Sequence, residues 1–318
     1  MSRRVGIVAI AGIVVIVLMV LASMEFDWFG PADPADAQCD DPSSAFSEPR
    51  MATDHTEVDV TYTCMDTTQS AAIYLPATDG PHPAVIWVHG AGEATRIPFD
   101  YPVFHALVND GIAVMTYDKR GVGSSEGECC PGDSGKFNLL TADVEGAIAV
   151  LRSRPDIDPD QVGLIGASQA GWIAPGAAAD KGAAFLALAA APTVGHDIAN
   201  RYERLVAGEE GDLTRDEIAE RLRSTGPGFD PMPDLERLDI PELWLFGGAD
   251  ENTPTPESVE ILDTLKAEGH DITVIVYPDA GHGLLDTPPT TPEAGPALID
   301  WVVSHVDLAS SGRLIPTS

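Results

Sequence analysis

The stretch Val162-Gly163-Leu164-Ile165-Gly166-Ala167-Ser168-Gln169-Ala170-Gly171-Trp172 constrains the fold more than any other. It opens with apolar Val162, Leu164 and Ile165, the pattern of a buried strand, and runs into small residues around a single serine. A strand that turns sharply into a helix at a serine leaves no room for ordinary side chains two positions to either side. Gly166 and Ala170 stand at those positions, and Gly171 follows. The turn holds a hydroxyl out at the end of a sheet, with the Gln169 N–H beside it at the start of a helix.

The rest of the chain supplies such a sheet. Val58, Val60 and Tyr62 alternate with polar residues, and the pattern continues to Leu75, predicting an antiparallel hairpin. Ala84–Val88 is continuously apolar, as a buried parallel strand is, and ends in His89-Gly90-Ala91-Gly92. Ile112–Tyr117 is a second such strand, ending in Asp118-Lys119-Arg120-Gly121-Val122-Gly123. Helical spacing marks residues 99–110 and 139–153. Further strands are predicted at 184–190, 243–246 and 272–277, with helices at 256–268 and 293–306. Strands alternating with helices predict an α/β fold with a mostly parallel central sheet and helices on both faces. The rhythm pauses over residues 193–236, where two short amphipathic helices and several Pro and Gly predict a lid insertion over the strand ends. Its apolar residues Ile198, Leu205, Ile218, Leu222 and Phe229 are expected to line an acyl pocket.

Ligands in such sheets gather at the carboxyl ends of the strands. Ser168, Asp250 and His282 each follow a predicted strand, in the order nucleophile, acid, base. A serine hydroxyl needs a neutral imidazole to take its proton, and the imidazole needs a carboxylate to fix its tautomer. The developing oxyanion then needs two backbone donors, for which Gln169 N–H and Ala91 N–H are the candidates. Asp279 and Asp286 lie closer to His282 in sequence, but neither is at a strand end. His89 reads as structural and His196 as incidental.

Eighteen basic residues against 50 acidic ones, a formal net charge of -32 over 318 residues, exclude nucleic acid as a partner and suit an acidic, well-solvated surface. Arg3 and Arg4 precede an uncharged apolar run from Val5 to Met24, long enough to span a bilayer. The expectation is one N-terminal transmembrane helix, with residues 1–24 as membrane anchor or signal segment and the domain outside the cytoplasmic membrane. The alternative is cleavage near Val20-Leu21-Ala22 and secretion. Residues 25–55, rich in Pro, Asp and Ala, are expected to form a disordered linker, and 308–318 a tail. Four cysteines fit an oxidising location. Cys39 and Cys64 are candidates to pair; the adjacent Cys129 and Cys130 leave open a vicinal disulfide, bridges elsewhere or a metal. Zinc is disfavoured by the lack of spaced Cys or His partners.

Residues 56–307 resemble the α/β-hydrolase superfamily. The resemblance is carried by His89-Gly90-Ala91-Gly92, the run Asp118–Gly123, Gly166-Ala167-Ser168-Gln169-Ala170-Gly171-Trp172, Gly248-Ala249-Asp250 and Gly281-His282-Gly283. The Ser-Gln-x-Gly-Trp form is similar to the dienelactone-hydrolase-like, prolyl-oligopeptidase-like and bile-acid-thioesterase-like branch. Ala170 departs from the family's usual glycine, and Ser168 from the cysteine of true dienelactone hydrolases. The resemblance implies acyl transfer from a small-molecule ester to water through an acyl-enzyme, with a Ser168-His282-Asp250 triad and no cofactor or metal. A prolyl-oligopeptidase-like peptidase or an aminopeptidase is the alternative, although the N-terminal region is too short for the propeller of prolyl oligopeptidases. A non-catalytic, membrane-tethered binding protein is the third reading, disfavoured because all three triad candidates are present. Oligomeric state is left open.

Overall fold

Residues 37–128 and 136–308 are described by the structure, a computed structural model. Ten strands form one sheet through them. They are β1 (Ser43–Phe46), β2 (Arg50–Met51), β3 (His55–Cys64), β4 (Thr67–Pro76), β5 (His82–Val88), β6 (Ala113–Tyr117), β7 (Ile157–Ala167), β8 (Leu186–Ala189), β9 (Glu242–Gly247) and β10 (Ile272–Tyr277). Their order is β1-β3-β4-β6-β5-β7-β8-β9-β10, with β2 paired to β3.

The sheet is mixed, which corrects the expectation of a mostly parallel one. Pairings β1/β3, β2/β3, β3/β4 and β4/β6 are antiparallel, and parallel pairing runs from β6 through β5, β7, β8 and β9 to β10. Connection length decides the difference, because a parallel return needs a crossover of a dozen residues or more. Only Met65 and Asp66 join β3 to β4, with φ of 48° and 61°, the left-handed geometry of a two-residue hairpin turn. From β5 onward the intervening helices provide the crossovers.

Side-chain alternation along each central strand feeds two cores. In β5, Ala84, Ile86 and Val88 face one side, while Val85 and Trp87 face the other. The first side is covered by α2 (Phe137–Arg152), α3 (Ala174–Lys181) and α7 (Thr255–Glu268). On the second side lie α1 (Pro102–Asn109) and α8 (Ala294–Ser304). The helix α2 forms as its spacing predicts, with Leu140, Val144, Ile148 and Leu151 all buried. Between β8 and β9 the chain leaves the sheet for α4 (His196–Val206), α5 (Arg215–Arg223) and α6 (Met232–Leu235). A capping box opens α5: the Thr214 side chain accepts the Glu217 N–H, and Glu217 reaches back to the Thr214 amide.

Part of the stretch expected as a disordered linker is structured. Cys39 is disulfide-bonded to Cys64 with 5.5 Å between their Cα atoms, and β1 and β2 both pair with β3. These strands are too short to show a period of their own, so only their partner reveals them. Cys129, Cys130 and residues 309–318 lie outside the described residues.

The membrane anchor is also corrected. The apolar run Val5–Met24 lies outside the described residues, and among the described residues no helix is long and apolar enough to cross a membrane. Apolarity and length are necessary for a span without being sufficient. Membrane tethering, and the extracytoplasmic or secreted placement expected with it, have no spanning helix behind them among the described residues.

Candidate active site

Strand β7 ends at Ala167, and the chain turns at Ser168 into a short 3-10 helix, Ser168–Trp172, before α3. Ser168 has φ of 57°, a left-handed conformation that costs a non-glycine residue of order 1–3 kcal/mol. Small neighbours allow it. A Cβ on Gly166 would stand 2.5 Å from the Val88 carbonyl oxygen and 2.9 Å from the Ala170 Cβ. Ala170 is fully buried there, so its methyl is accommodated because position 166 carries no side chain.

Loops after β7, β9 and β10 bring the candidate residues together. His282 Nε2 lies 2.9 Å from Ser168 Oγ, and His282 Nδ1 lies 2.9 Å from Asp250 Oδ2. With Asp250 ionised, Nδ1 carries the hydrogen and donates it, leaving the Nε2 lone pair to accept the serine O–H. The Asp250 carboxylate is wholly buried and is held independently, because Oδ1 accepts the amides of Asn252 and Thr253, each at 2.8 Å. Gly247, at the end of β9, lets the histidine loop pass close by. A Cβ at that position would come within 2.4 Å of the Ala280 and Gly281 carbonyl oxygens. Asp279 and Asp286, the sequence's other candidate acids, are not the residues that meet His282.

The two candidate oxyanion donors lie on segments that approach Ser168 from different strands. Gln169 is the second residue of the 3-10 helix, so its N–H has no partner within that helix. Ala91 follows Gly90, where a Cβ would come within 3.3 Å of the Ser168 Cβ. His89 is structural, as expected: its Nε2 donates to the Tyr117 carbonyl at 2.6 Å, and burial lowers its pKa to about 4, keeping it neutral.

The insertion reaches this site through α4, where Tyr202 Oη donates to the Asp250 carbonyl at 2.7 Å. Trp172 Nε1 donates to the Val194 carbonyl at 2.8 Å, tying the start of the insertion to the serine's helix. The expected lining residues pack elsewhere. Leu205, Ile218 and Leu222 are buried with Tyr202 in a core of the insertion's own, and the Phe229 ring lies 4.7 Å from that of Phe137. His196 sits against Phe137 and Trp172, consistent with an incidental role. Among the described residues, no group of three or more His, Cys, Asp or Glu is placed to hold a metal ion.

Sequence reasoning assigned no role to Lys119, Asn252, Thr253 or Tyr202, which surround the site. The backbone amides and the Tyr202 hydroxyl leave no sequence signal. Lys119 lies within the Asp118–Gly123 run that carries the resemblance, but its sequence neighbours give no sign of the oxygens its ammonium meets.

A family model described as serine aminopeptidase, S33, matches residues 79–216, which include Ser168 and the strands on either side of β5. Over those residues the chain is similar to serine hydrolases of the α/β-hydrolase fold. The chain is 36% identical over 108 residues to the thiohydrolase aneE of Aspergillus aculeatus, a match covering 33% of this chain and 32% of that protein. It is 25% identical over 257 residues to acylamino-acid-releasing enzyme 1 of Oryza sativa subsp. japonica, covering 74% of this chain and 32% of that enzyme. The chain thus spans about a third of the length of these curated relatives. Acetyl xylan esterase 1 from a Thermoanaerobacterium species shares its fold, with a TM-score of 0.63 at 20% identity over 84% of this chain and 89% of the esterase.

Proposed function

We propose that this hydrolase cleaves carboxylic esters through an acyl-enzyme on Ser168. The observation that carries the reading is the continuous hydrogen-bonded chain from Ser168 Oγ through His282 to the buried Asp250 carboxylate. Ser168 Oγ attacks the ester carbonyl carbon while His282 Nε2 takes its proton. The N–H groups of Gln169 and Ala91 receive the oxyanion. On collapse the C–O bond to the leaving group breaks, and the alkoxide leaves with the proton from His282. Water then adds to the acyl-enzyme, giving its proton to His282, and Ser168 departs with that proton as the acid is released. Asp250 stabilises the imidazolium in both halves without itself taking a proton. In this reading the insertion 193–236 covers the site, and its influence runs through the bond from Tyr202 to the Asp250 backbone.

An ester is the least demanding substrate for this arrangement, because its alkoxide needs one proton and no further anchor. An aminopeptidase needs in addition a grip on the substrate's α-amino group. That second reading is favoured by the description of the matching family model and by the rice relative. A panel of p-nitrophenyl acetate, butyrate and octanoate beside aminoacyl-p-nitroanilides tests the choice. The ester reading predicts kcat/KM on at least one ester well above that on every anilide; a preference for an anilide would replace it with the peptidase reading.

A further inference from the structure

We infer that Lys119 is a positioning residue for the oxyanion site: its buried ammonium joins the Gly90–Gly92 turn to the Gln169 side chain and aims the Ala91 N–H at the substrate's carbonyl oxygen. The inference deepens the proposed function and rests on the roles given there to Ser168, Gln169 and Ala91.

Lys119 follows the end of β6 and is 1% exposed. A buried ammonium costs several kcal/mol of lost hydration unless it is compensated. No carboxylate pairs with this one among the ion pairs of the described residues, and burial alone lowers its pKa, to about 8, so it is charged at neutral pH. Its partners are three neutral oxygens: Gly90 O at 2.9 Å, Gly92 O at 3.3 Å and Gln169 Oε1 at 2.6 Å. An ammonium has three donors and no acceptor, so these three bonds use all its hydrogens. The charge is therefore spent on holding two segments that meet beside Ser168.

The consequence for the oxyanion site follows from peptide geometry. In a trans peptide the C=O of one residue and the N–H of the next point in opposite directions. Fixing the Gly90 carbonyl on Lys119 Nζ turns the Ala91 N–H away from the lysine. The same peptide lies against the nucleophile, since a Cβ on Gly90 would meet the Ser168 Cβ at 3.3 Å and Oγ at 3.9 Å. The ammonium also polarises that peptide, which makes its N–H a stronger donor. Through Gln169 Oε1 the same cation holds the residue whose N–H is the other donor. The Lys119 backbone N–H bonds separately to the Ala94 carbonyl at 2.9 Å, a tie that survives replacement of the side chain.

The test compares Lys119→Met and Gln169→Met with the parent chain on p-nitrophenyl butyrate and against a trifluoromethyl ketone, whose adduct oxygen occupies the oxyanion position. Lys119→Met is expected to lower kcat roughly 10²-fold and weaken the ketone in proportion, with KM changed by less than about threefold. Gln169→Met, which removes one of the three acceptors and keeps the backbone donor, is expected to lower kcat by roughly tenfold. Unchanged kcat and ketone inhibition in a folded Lys119→Met chain would overturn the inference. Should that chain not fold, the same null result in Gln169→Met overturns it. A loss confined to KM also overturns it, because a hole that acts on the transition state must appear in kcat. Ser168→Ala, assayed alongside, separates the two levels: hydrolysis surviving there sinks the proposed function, while its abolition with normal kcat in both methionine variants sinks the role of Lys119 alone.

Discussion

The Asp250 carboxylate straddles His282 Nδ1, with Oδ2 at 2.9 Å and Oδ1 at 3.1 Å, while Oδ1 also accepts the backbone amides of Asn252 and Thr253. The acid is thus anchored whether or not the histidine is present. Asp250→Asn keeps an oxygen for the two amides but turns an N–H toward Nδ1, which forces the wrong histidine tautomer. We expect kcat to fall roughly 10⁴-fold with little change in thermal stability. The double variant Asp250→Asn/His282→Ala should be hardly slower than His282→Ala alone, as the proposed triad acting as a unit requires. Losses that multiply would count against the assignment.

The Cys39–Cys64 bridge clasps the start of the described chain to α2. A Cβ on Gly146 of that helix would meet the Cys64 sulfur at 2.2 Å, and the Cys39 N–H donates to the buried Glu145 at 2.8 Å. The bridge closes a loop with a sequence separation of 25, for which chain entropy gives about 3.5 kcal/mol. Cys39→Ser/Cys64→Ser should therefore unfold at lower denaturant while its residual folded fraction keeps normal kcat. Equal denaturation midpoints would show that the non-covalent contacts suffice.

At the opposite end of the sheet from Ser168, Glu242 begins β9, nearly inaccessible, with Oε2 accepting the Trp244 Nε1–H at 2.9 Å. Burial raises its pKa from 4.5 to about 7. The folded state then holds the proton more tightly than the unfolded one, so this residue's contribution is most favourable below 4.5 and is lost as pH rises to about 7. Glu242→Gln keeps an acceptor for Trp244 and removes the buried charge. It should stabilise the protein by about 3 kcal/mol at pH 8 and by much less at pH 5. Urea unfolding of both chains across that range checks this, and a difference that stays constant with pH would refute it.

Much of the site is legible in the sequence because its demands are local. The turn at Ser168 requires small residues beside it, and Gly166, Ala170 and Gly171 display that requirement directly. Asp250 and His282 are legible because each closes a recognisably apolar strand. Lys119 is not, since its meaning depends on acceptors 29 and 50 residues away that only the folded sheet brings together. The insertion shows the limit of periodicity: the apolar stripes of α4 and α5 are plain, but a stripe does not say whether it faces the site or its neighbour, and here Leu205, Ile218 and Leu222 face one another. The antiparallel hairpin β3/β4 is legible from its alternation, but the extent of the antiparallel part is not, because β1 and β2 have too few residues to announce a partner. For the apolar run Val5–Met24 the sequence offers hydropathy alone, which reports what a segment tolerates and not where it lies.

Whether Ser168 is the nucleophile is read most directly by active-site titration. The parent chain is treated with a fluorophosphonate, its intact mass is recorded, and the labelled peptide is sequenced beside an identically treated Ser168→Ala chain. The proposed role of Ser168 predicts one adduct per chain, on Ser168, with no adduct and a loss of ester hydrolysis of at least roughly 10³-fold in Ser168→Ala. An adduct on another residue, or hydrolysis persisting in Ser168→Ala, would contradict it.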